Sequence, residues 1–397
     1  MDKIQLGLKE NWKQFALLVI INGFVGGMIG LERTILPKIA EVEFQIAART
    51  AILSFIVVFG IVKAFTNYFT GSLANRFGRK NLLLAGWIIG IPVPFILIYA
   101  PSWNWIVAAN ILLGINQGLT WSSTVVMKID LIGEKNRGLA MGLNEFAGYL
   151  AVAGIGFATG YIAGQYGLRP YPFYLGIGLV FAGLFLTLFV KDTIHHSNKE
   201  SESNSVRLLR NIFWDTTWKD KNLGSITQAG LVNNLNDGMA WGLFPILFLS
   251  KGFSLSEVGI LTAVYPAVWG VAQLITGKIA DHASKKKMLS AGMFIQGMVL
   301  IAFPFTDTFR YYFMLSTLLG LGTAIVYPTF LASIAEYTNP SDRPKSLGTF
   351  RFWRDLGYAF GALLTGIVAD VFGVNYSIVL IGLITIGSSI IVMGRMR

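Results

Sequence analysis

Eight ionisable side chains interrupt stretches that are otherwise apolar: Glu32, Arg33, Lys63, Glu145, Asp237, Arg351, Arg354 and Asp355. An ion taken out of water is costly unless it is paired or wetted. Four of the eight are acidic and four basic, so they are expected to neutralise one another around an aqueous cavity. Glu32 and Asp237 have the chemistry of proton carriers, neutral when facing the side rich in protons and ionised when facing the other. Glu32 lies roughly 25 Å along its helix at about 1.5 Å per residue, which puts it within reach of water. The competing reading of Glu32 is an ion pair or an interfacial residue. Asn233, Asn236 and Asp237 share a helix face by the i, i+3, i+4 rule. That face must meet a polar cavity or another helix, so the group binds solute or protons, or else forms an interhelical hydrogen-bond cluster.

The basic residues suit a gate or an anion site. Arg351 and Asp355 stand four residues apart and could pair along their helix, leaving Arg354 to find another partner. A guanidinium also binds an anionic group with two parallel hydrogen bonds. Lys63 is expected to snorkel to the inner interface. Asn116 and Gln117 sit mid-helix and are expected to line the cavity, together with Tyr265, Trp269, Tyr327, Phe352 and Trp353.

Other chemistry is poorly represented. There is no cysteine, and His195, His196 and His282 all fall in predicted loops, so no metal site or histidine proton relay is expected. No Gly-x-x-x-x-Gly-Lys-Ser/Thr loop occurs, which argues against ATP drive. No nucleophile and base stand together. The chain is therefore read as neither an enzyme nor a holder of cofactors.

The elements that position these residues are apolar runs long enough to cross a bilayer. They predict helices over 15–37, 46–69, 81–100, 104–127, 139–163, 170–190, 223–250, 257–280, 287–306, 310–334, 346–369 and 374–394, twelve in all. Apolar residues make up 54% of the chain and charged ones 13%, well under the charge of a soluble domain. The sequence also repeats. Gly71-Ser-Leu-Ala-Asn75-Arg76-Phe-Gly78-Arg79-Lys80 returns as Gly277-Lys-Ile-Ala-Asp281-His-Ala-Ser-Lys285-Lys286-Lys287, an offset of 206 residues, and both copies read as loops between helices. At that offset Asp130 matches Glu336, Arg137 matches Arg343, Gly142 matches Gly348, Phe146 matches Phe352, Thr159-Gly160 matches Thr365-Gly366 and Gly167 matches Gly373. Two copies of one membrane unit around a shared cavity are the pattern of secondary transporters. Glu145 and Arg351 are repeat-mates of opposite charge, which predicts a pair that bridges the halves as a gate.

The division predicted is an N-terminal six-helix bundle over 1–190, a polar linker over 191–222 and a C-terminal six-helix bundle over 223–397. In the linker, Leu208, Leu209, Ile212, Phe213 and Trp214 could share one face of a short helix on the inner leaflet or packed on the protein. The net charge of +11 is explained by sidedness. With both termini in the cytoplasm, 23 Lys and Arg fall on that side and five on the other. This bias is that of an inner or plasma membrane protein, and it removes the case for nucleic-acid binding.

Twelve helices as six plus six, a basic linker and Gly-x-Leu-Ala-x-Arg-x-Gly-Arg-Lys between the second and third helices together resemble the major facilitator superfamily over essentially the whole chain. The end of helix one, Leu31-Glu32-Arg33-Thr34-Ile35-Leu36-Pro37, looks like a compressed form of the acidic motif of the drug:proton antiporter branch. Helix five carries Gly148, Gly154 and Gly156 but lacks the proline of the efflux signature. The resemblance implies alternating access and a latch at the loop motif, formed by Gly71, Asn75, Arg76, Gly78, Arg79, Asp130, Gly277 and Asp281. In this chain the acidic position of the first copy is Asn75, and His282 and Ser284 replace Arg and Gly in the second. From the residues themselves, Arg76 is expected to pair with Asp130, and Asp281 to accept hydrogen bonds at the helix start near 139.

The expectation is thus a monomeric, all-α secondary transporter of a small organic molecule, driven by protons and working outward. Uptake of an anionic metabolite is the alternative, and a non-transporting membrane sensor the alternative of another class.

Overall fold

The computed structural model describes the chain apart from residues 1–5, 133–136, 195, 197–208, 281 and 339–341, and apart from the side chains of 71, 72, 75, 137–139, 335, 343 and 344. The described residues are helical almost throughout. The long helices are α1 (Trp12–Arg33), α2 (Ser54–Phe77), α3 (Arg79–Tyr99), α4 (Trp103–Ile132), α5 (Arg137–Tyr166), α6 (Tyr174–Leu188), α7 (Lys221–Ser250), α8 (Leu255–Ala280), α9 (Lys285–Ala302), α10 (Phe309–Tyr337), α11 (Arg343–Phe372) and α12 (Val374–Arg395). They form two six-helix bundles, α1–α6 and α7–α12. Among the described residues, nine spans are long and apolar enough to cross a membrane. The crossings outside that count have a physical explanation. Helices α4 and α7 carry buried Asn110, Asn116, Gln117, Lys128, Asn233, Asn234, Asn236 and Asp237, so their polar faces point into the protein and lower their hydropathy. Helix α2 contributes a shorter apolar stretch, Ser54–Thr70.

The repeat survives folding. Helices α5 and α11 are offset by 206 residues at both ends, and each is followed by a glycine, Gly167 or Gly373, at φ +94°. A left-handed residue at that turn explains why glycine stands in both copies. The predicted loops prove shorter than expected. Helix α2 runs to Phe77 and α3 starts at Arg79, leaving Gly78 (φ +83°) as the turn, while Gly277 lies inside α8.

Two seams join the bundles, α2 against α11 and α5 against α8. Small residues allow the close approach. A Cβ on Gly60 would meet Ala359 N at 2.7 Å, and one on Gly160 would meet Gly259 Cα at 3.0 Å. Within the first bundle Gly26 and Gly30 press on Gly148 and Val152 of α5 in the same way. Large apolar side chains such as Ile88, Phe185, Ile275 and Ile390 are exposed around the outside, as a lipid-facing surface requires.

Both termini of the described chain lie at one end of the bundles, here the terminal face. The opposite end is the distal face.

Candidate functional site

The seam between the bundles buries two charged layers with aromatic rings between them. In the distal layer, Glu32 of α1 is fully buried, because α1 continues into a second helix, Leu36–Val42, instead of ending near water. Its Oε2 accepts from Asn110 Nδ2 at 3.1 Å, and Oε1 has no partner. Asp237 of α7 accepts from the Tyr265 hydroxyl through Oδ1, while Oδ2 has no partner. Arg33 is also buried, and none of its side-chain nitrogens makes a hydrogen bond. Its guanidinium lies 4.3 Å from the Trp241 ring, 4.8 Å from Phe59 and 5.7 Å from Phe55. Arg33, Thr34, Trp241, Phe244 and Tyr265 help line a cavity of about 20 Å³, which has room for a water molecule.

The aromatic layer spans both bundles. Tyr149 stacks on Trp269 at 3.5 Å, and Trp269 meets Tyr327 at 4.9 Å and Tyr265 at 5.8 Å. Trp241 stacks on Tyr358 at 4.7 Å. Of the aromatics expected to line the cavity, Tyr265 lines the small one beside Arg33, whereas Trp269 and Tyr327 pack within this layer. Phe352 and Trp353 lie elsewhere. Phe352 packs on Phe65 and Tyr68 towards the terminal face, and Trp353 donates to Thr217 of the linker.

The second charged layer centres on Asp355. Arg354 donates to its Oδ1 from Nε (2.9 Å) and Nη2 (2.7 Å), and Asn234 does so at 3.4 Å. Asn67 of the other bundle donates to Oδ2. Arg354 also donates to the Tyr327 hydroxyl at 2.7 Å. Asp355 thus pairs with Arg354, not with Arg351 as the four-residue spacing suggested. The guanidinium of its chain neighbour reaches it, while Arg351 turns across the seam to Ser122 at 3.2 Å. Glu145 makes no ion pair with Arg351. It accepts from Trp121 at 3.2 Å and Asn144 at 2.8 Å, and its Oε2 is free of partners. On the terminal side of the seam the bundles are therefore bridged by Asn67–Asp355 and Arg351–Ser122, not by Glu145–Arg351.

Two lysines are more deeply placed than the sequence indicated. Lys63 does not snorkel. It is buried, with its ammonium 5.2 Å from the Tyr358 ring, 5.4 Å from Phe59 and 5.5 Å from Trp121. Lys128, expected in a loop, is fully buried in α4 and donates to Asn144, which in turn donates to Glu145. Among the described residues Lys128 joins Arg33, Lys63, Arg79 and Arg354 as buried basic groups, against six buried acidic ones, Glu32, Asp130, Glu145, Asp237, Asp342 and Asp355.

Several expected cavity residues instead stitch helices together. Asn116 donates to Gly86 O of α3 at 2.8 Å, and Gln117 to Val25 O of α1 at 2.9 Å. Asn236 donates to Gln296 at 3.0 Å and accepts from Thr385 at 2.7 Å, inside its own bundle. Asn233 contacts Asn234 at 3.4 Å, leaving its Oδ1 without a partner. Only Asp237 of the predicted three-residue face meets Tyr265 and the distal layer.

A family model described as Major Facilitator Superfamily matches residues 15–227 and again residues 226–396. The chain belongs to that superfamily. It is a multi-pass membrane transporter and not an enzyme. The Multidrug resistance protein MdtG of Salmonella paratyphi C (strain RKS4594) is 23% identical over 388 residues, covering 91% of this chain and 90% of that protein. The protein of the same name from Salmonella typhi gives the same identity and coverage. Among solved structures, the human organic anion transporter MFSD10 (TETRAN) superposes with a TM-score of 0.73 at 14% identity, over 95% of this chain and 99% of that one.

The transporter's loop motif is arranged differently from the sequence expectation. Arg76 is exposed, its guanidinium 5.2 Å from the Phe77 ring, and it is Arg79 that meets Asp130, at 3.2 Å. Asp130 also accepts from Thr193 at 2.7 Å. The second copy repeats the pair as Lys285–Glu336, the same two positions 206 residues on. The offset itself carried this signal, since Arg79 and Asp130 keep their charges in the second copy whereas Arg76 becomes His282. Asp192 holds the first turn, accepting from Lys80 N at 2.9 Å beside Gly78. Asp281 and the side chains at Gly71 and Asn75 lie outside the described residues. Leu208 lies outside them as well. Of the rest of the linker face, Leu209 lies outside any helix, its N–H donating to Asp342 at 2.9 Å, and Ile212–Trp214 form a single turn, with Phe213 against Tyr68 and Phe352.

Proposed function

We propose that this transporter exports a small organic solute in exchange for protons, with Glu32 and Asp237 as the proton carriers. The observation that carries the reading is the pair of buried carboxyls, one on α1 and one on its repeat-mate α7, each with one oxygen left without a partner in the same distal layer. Such a group is positioned to take up a proton without breaking a structural bond. The inner closure is assigned to Asn67–Asp355 and Arg351–Ser122, with the Arg354–Asp355 pair as its core. Glu145, held in its own bundle by Trp121 and Asn144, is assigned to the same layer through the action of its charge on Arg351. Export is supported by the likeness to proteins named for multidrug resistance. The proposed topology has both termini in the cytoplasm, a functional monomer, and units over 1–190, 191–222 and 223–397.

A second reading, uptake of an anionic metabolite together with protons, is favoured by the buried and unpaired Arg33. The readings differ in sign. A proton favours a bound anion by charge, whereas exchange requires proton and solute to exclude one another. The test is counterflow in proteoliposomes with and without an imposed pH gradient, using the solute that gives the largest thermal shift in a panel of neutral, cationic and anionic compounds. Export predicts that the solute accumulates on the acidic side of the gradient. In Asp237→Asn and Glu32→Gln, exchange of solute for solute should persist while the response to the gradient is lost. Accumulation on the alkaline side would reverse the direction, and a full gradient response in both variants would remove the carriers.

A further inference from the structure

We infer that Arg33 and Trp241 form the gate of the distal face, and that the protons on Glu32 and Asp237 decide whether it closes. The inference goes beyond the proposed exchange and rests on its assignment of the two carriers.

Arg33 is a buried cation with three unpartnered nitrogens, and no described carboxylate forms an ion pair with it. Ring faces are its direct contacts, with Glu32 and Asp237 acting on it from beyond ion-pair distance, and rings attract a guanidinium less strongly than a paired carboxylate does. Phe55 and Phe59 belong to the first bundle, as Arg33 does. Trp241 belongs to the second, so the 4.3 Å contact spans the seam. Trp241 is held flat by its stack on Tyr358. Next to it the bundles touch so closely that a Cβ on Gly242 would stand 1.9 Å from Leu53 Cδ2. The buried part of the distal closure is therefore a cation on an aromatic face beside an apolar contact, and at the exposed rim Asp370 of α11 accepts from Thr50 Oγ1 at 2.7 Å and from the backbone N–H groups of Arg49 and Thr50. The buried part of the inner closure is a hydrogen-bonded charge network.

The groups that act electrostatically on this layer are Glu32 on α1, Lys63 on α2, Asp237 on α7, Tyr265 on α8, and Arg354 and Tyr358 on α11. Only Glu32 and Asp237 among them have a free carboxyl oxygen. Once ionised, either carboxylate competes with the Trp241 ring for the guanidinium. Once protonated, neither does, and Arg33 stays on the ring. Protons entering from the distal side thus close that side behind them, and their release towards the terminal face lets Arg33 leave the ring. This order is the one an inward proton needs if it is to drive an outward solute. It also gives the unpaired Arg33 a role that needs no anionic solute.

The chain has no cysteine, so two introduced ones report cleanly. Val42→Cys and Tyr376→Cys place spin labels on exposed distal positions of the two bundles. Their distance distribution is measured by pulsed electron resonance in lipid nanodiscs at pH 5.5 and pH 8.5, with no solute added. The parent should populate the short, closed distance more at the lower pH. Trp241→Leu should lower the closed-to-open ratio at pH 5.5 about tenfold or more, as loss of a desolvated cation–π contact implies. Trp241→Phe should keep part of the closure, which guards against a folding artefact. Asp237→Asn combined with Glu32→Gln should stay closed at both pH values. A parent-like distribution in Trp241→Leu at both pH values would overturn the gate. So would an unaltered pH response in the carboxyl double variant. Neither reading uses transport, so failure of the proposed exchange would be seen separately, in the counterflow assay.

Discussion

Removal of the Asp355 carboxylate is the sharpest test of the inner charge network. In Asp355→Ala, Arg354 loses two hydrogen bonds of 2.7 and 2.9 Å and keeps only the Tyr327 hydroxyl at 2.7 Å. Asn67 loses its bond across the seam, and Asn234 loses a weak one at 3.4 Å. Arg354 is only 7% exposed, so water does not replace what is lost. A buried cation left without its partner costs about 3–5 kcal/mol. The bond from Asn67 is made to a charged group and is worth about 1.5–3 kcal/mol alone. Asp355→Ala should therefore lower the apparent melting temperature in detergent by several degrees, while Asn67→Ala should lower it less. A control separates charge from packing. Replacing both members of the pair, as in Arg354→Met with Asp355→Leu, leaves no orphan ion and should recover most of the stability. Unfolding of a two-bundle protein need not be two-state, so the order of the variants is the result to read. If Asp355→Ala melts like the parent, or if the double variant melts below it, Asp355 is not the centre of a paired network.

Three further outcomes follow from the geometry. Gly26→Val should destabilise the first bundle severely, because a Cβ there stands 2.0 Å from Gly148 O on the backbone of α5; expression and gel-filtration profile report it. At the terminal face, Asp130→Ala should cost about 1–3 kcal/mol, since it removes the partners of Arg79 and Thr193 in a largely dry site, and Glu336→Ala should cost less because its side chain is half exposed. A thermal-shift comparison of the two variants checks that order. Lys128→Met should be tolerated better than Lys128→Ala, because the methionine fills the buried volume without an ammonium to satisfy, and thermal stability again gives the answer.

Apolar run length made the crossings readable, and the 206-residue offset made the two bundles readable, down to matching ends of α5 and α11. Glu32, Arg33 and Asp237 were legible as costly charges in apolar surroundings. The partners of these charges were not. Asn67 and Asp355 meet across the seam although they are 288 residues apart, and no periodicity relates them. Lys128 was missed because it lies one residue beyond a predicted span that in fact continues to Ile132. Asn236 was grouped with Asp237 by helical spacing. One residue turns the side chain by about 100°, enough to point it at Gln296 and Thr385 in the second bundle. Spacing along one helix says which residues share a face. It does not say which neighbour that face meets.

Proton movement tests the central claim most directly. In everted vesicles holding a respiration-driven pH gradient, reported by a quenched acridine dye, the thermal-shift solute is added to vesicles with the parent protein or with Asp237→Asn. The account predicts that the parent lets protons out as solute enters, so fluorescence recovers, and that Asp237→Asn gives no recovery. Equal recovery in both, or solute entry in the parent with no proton movement, would contradict it.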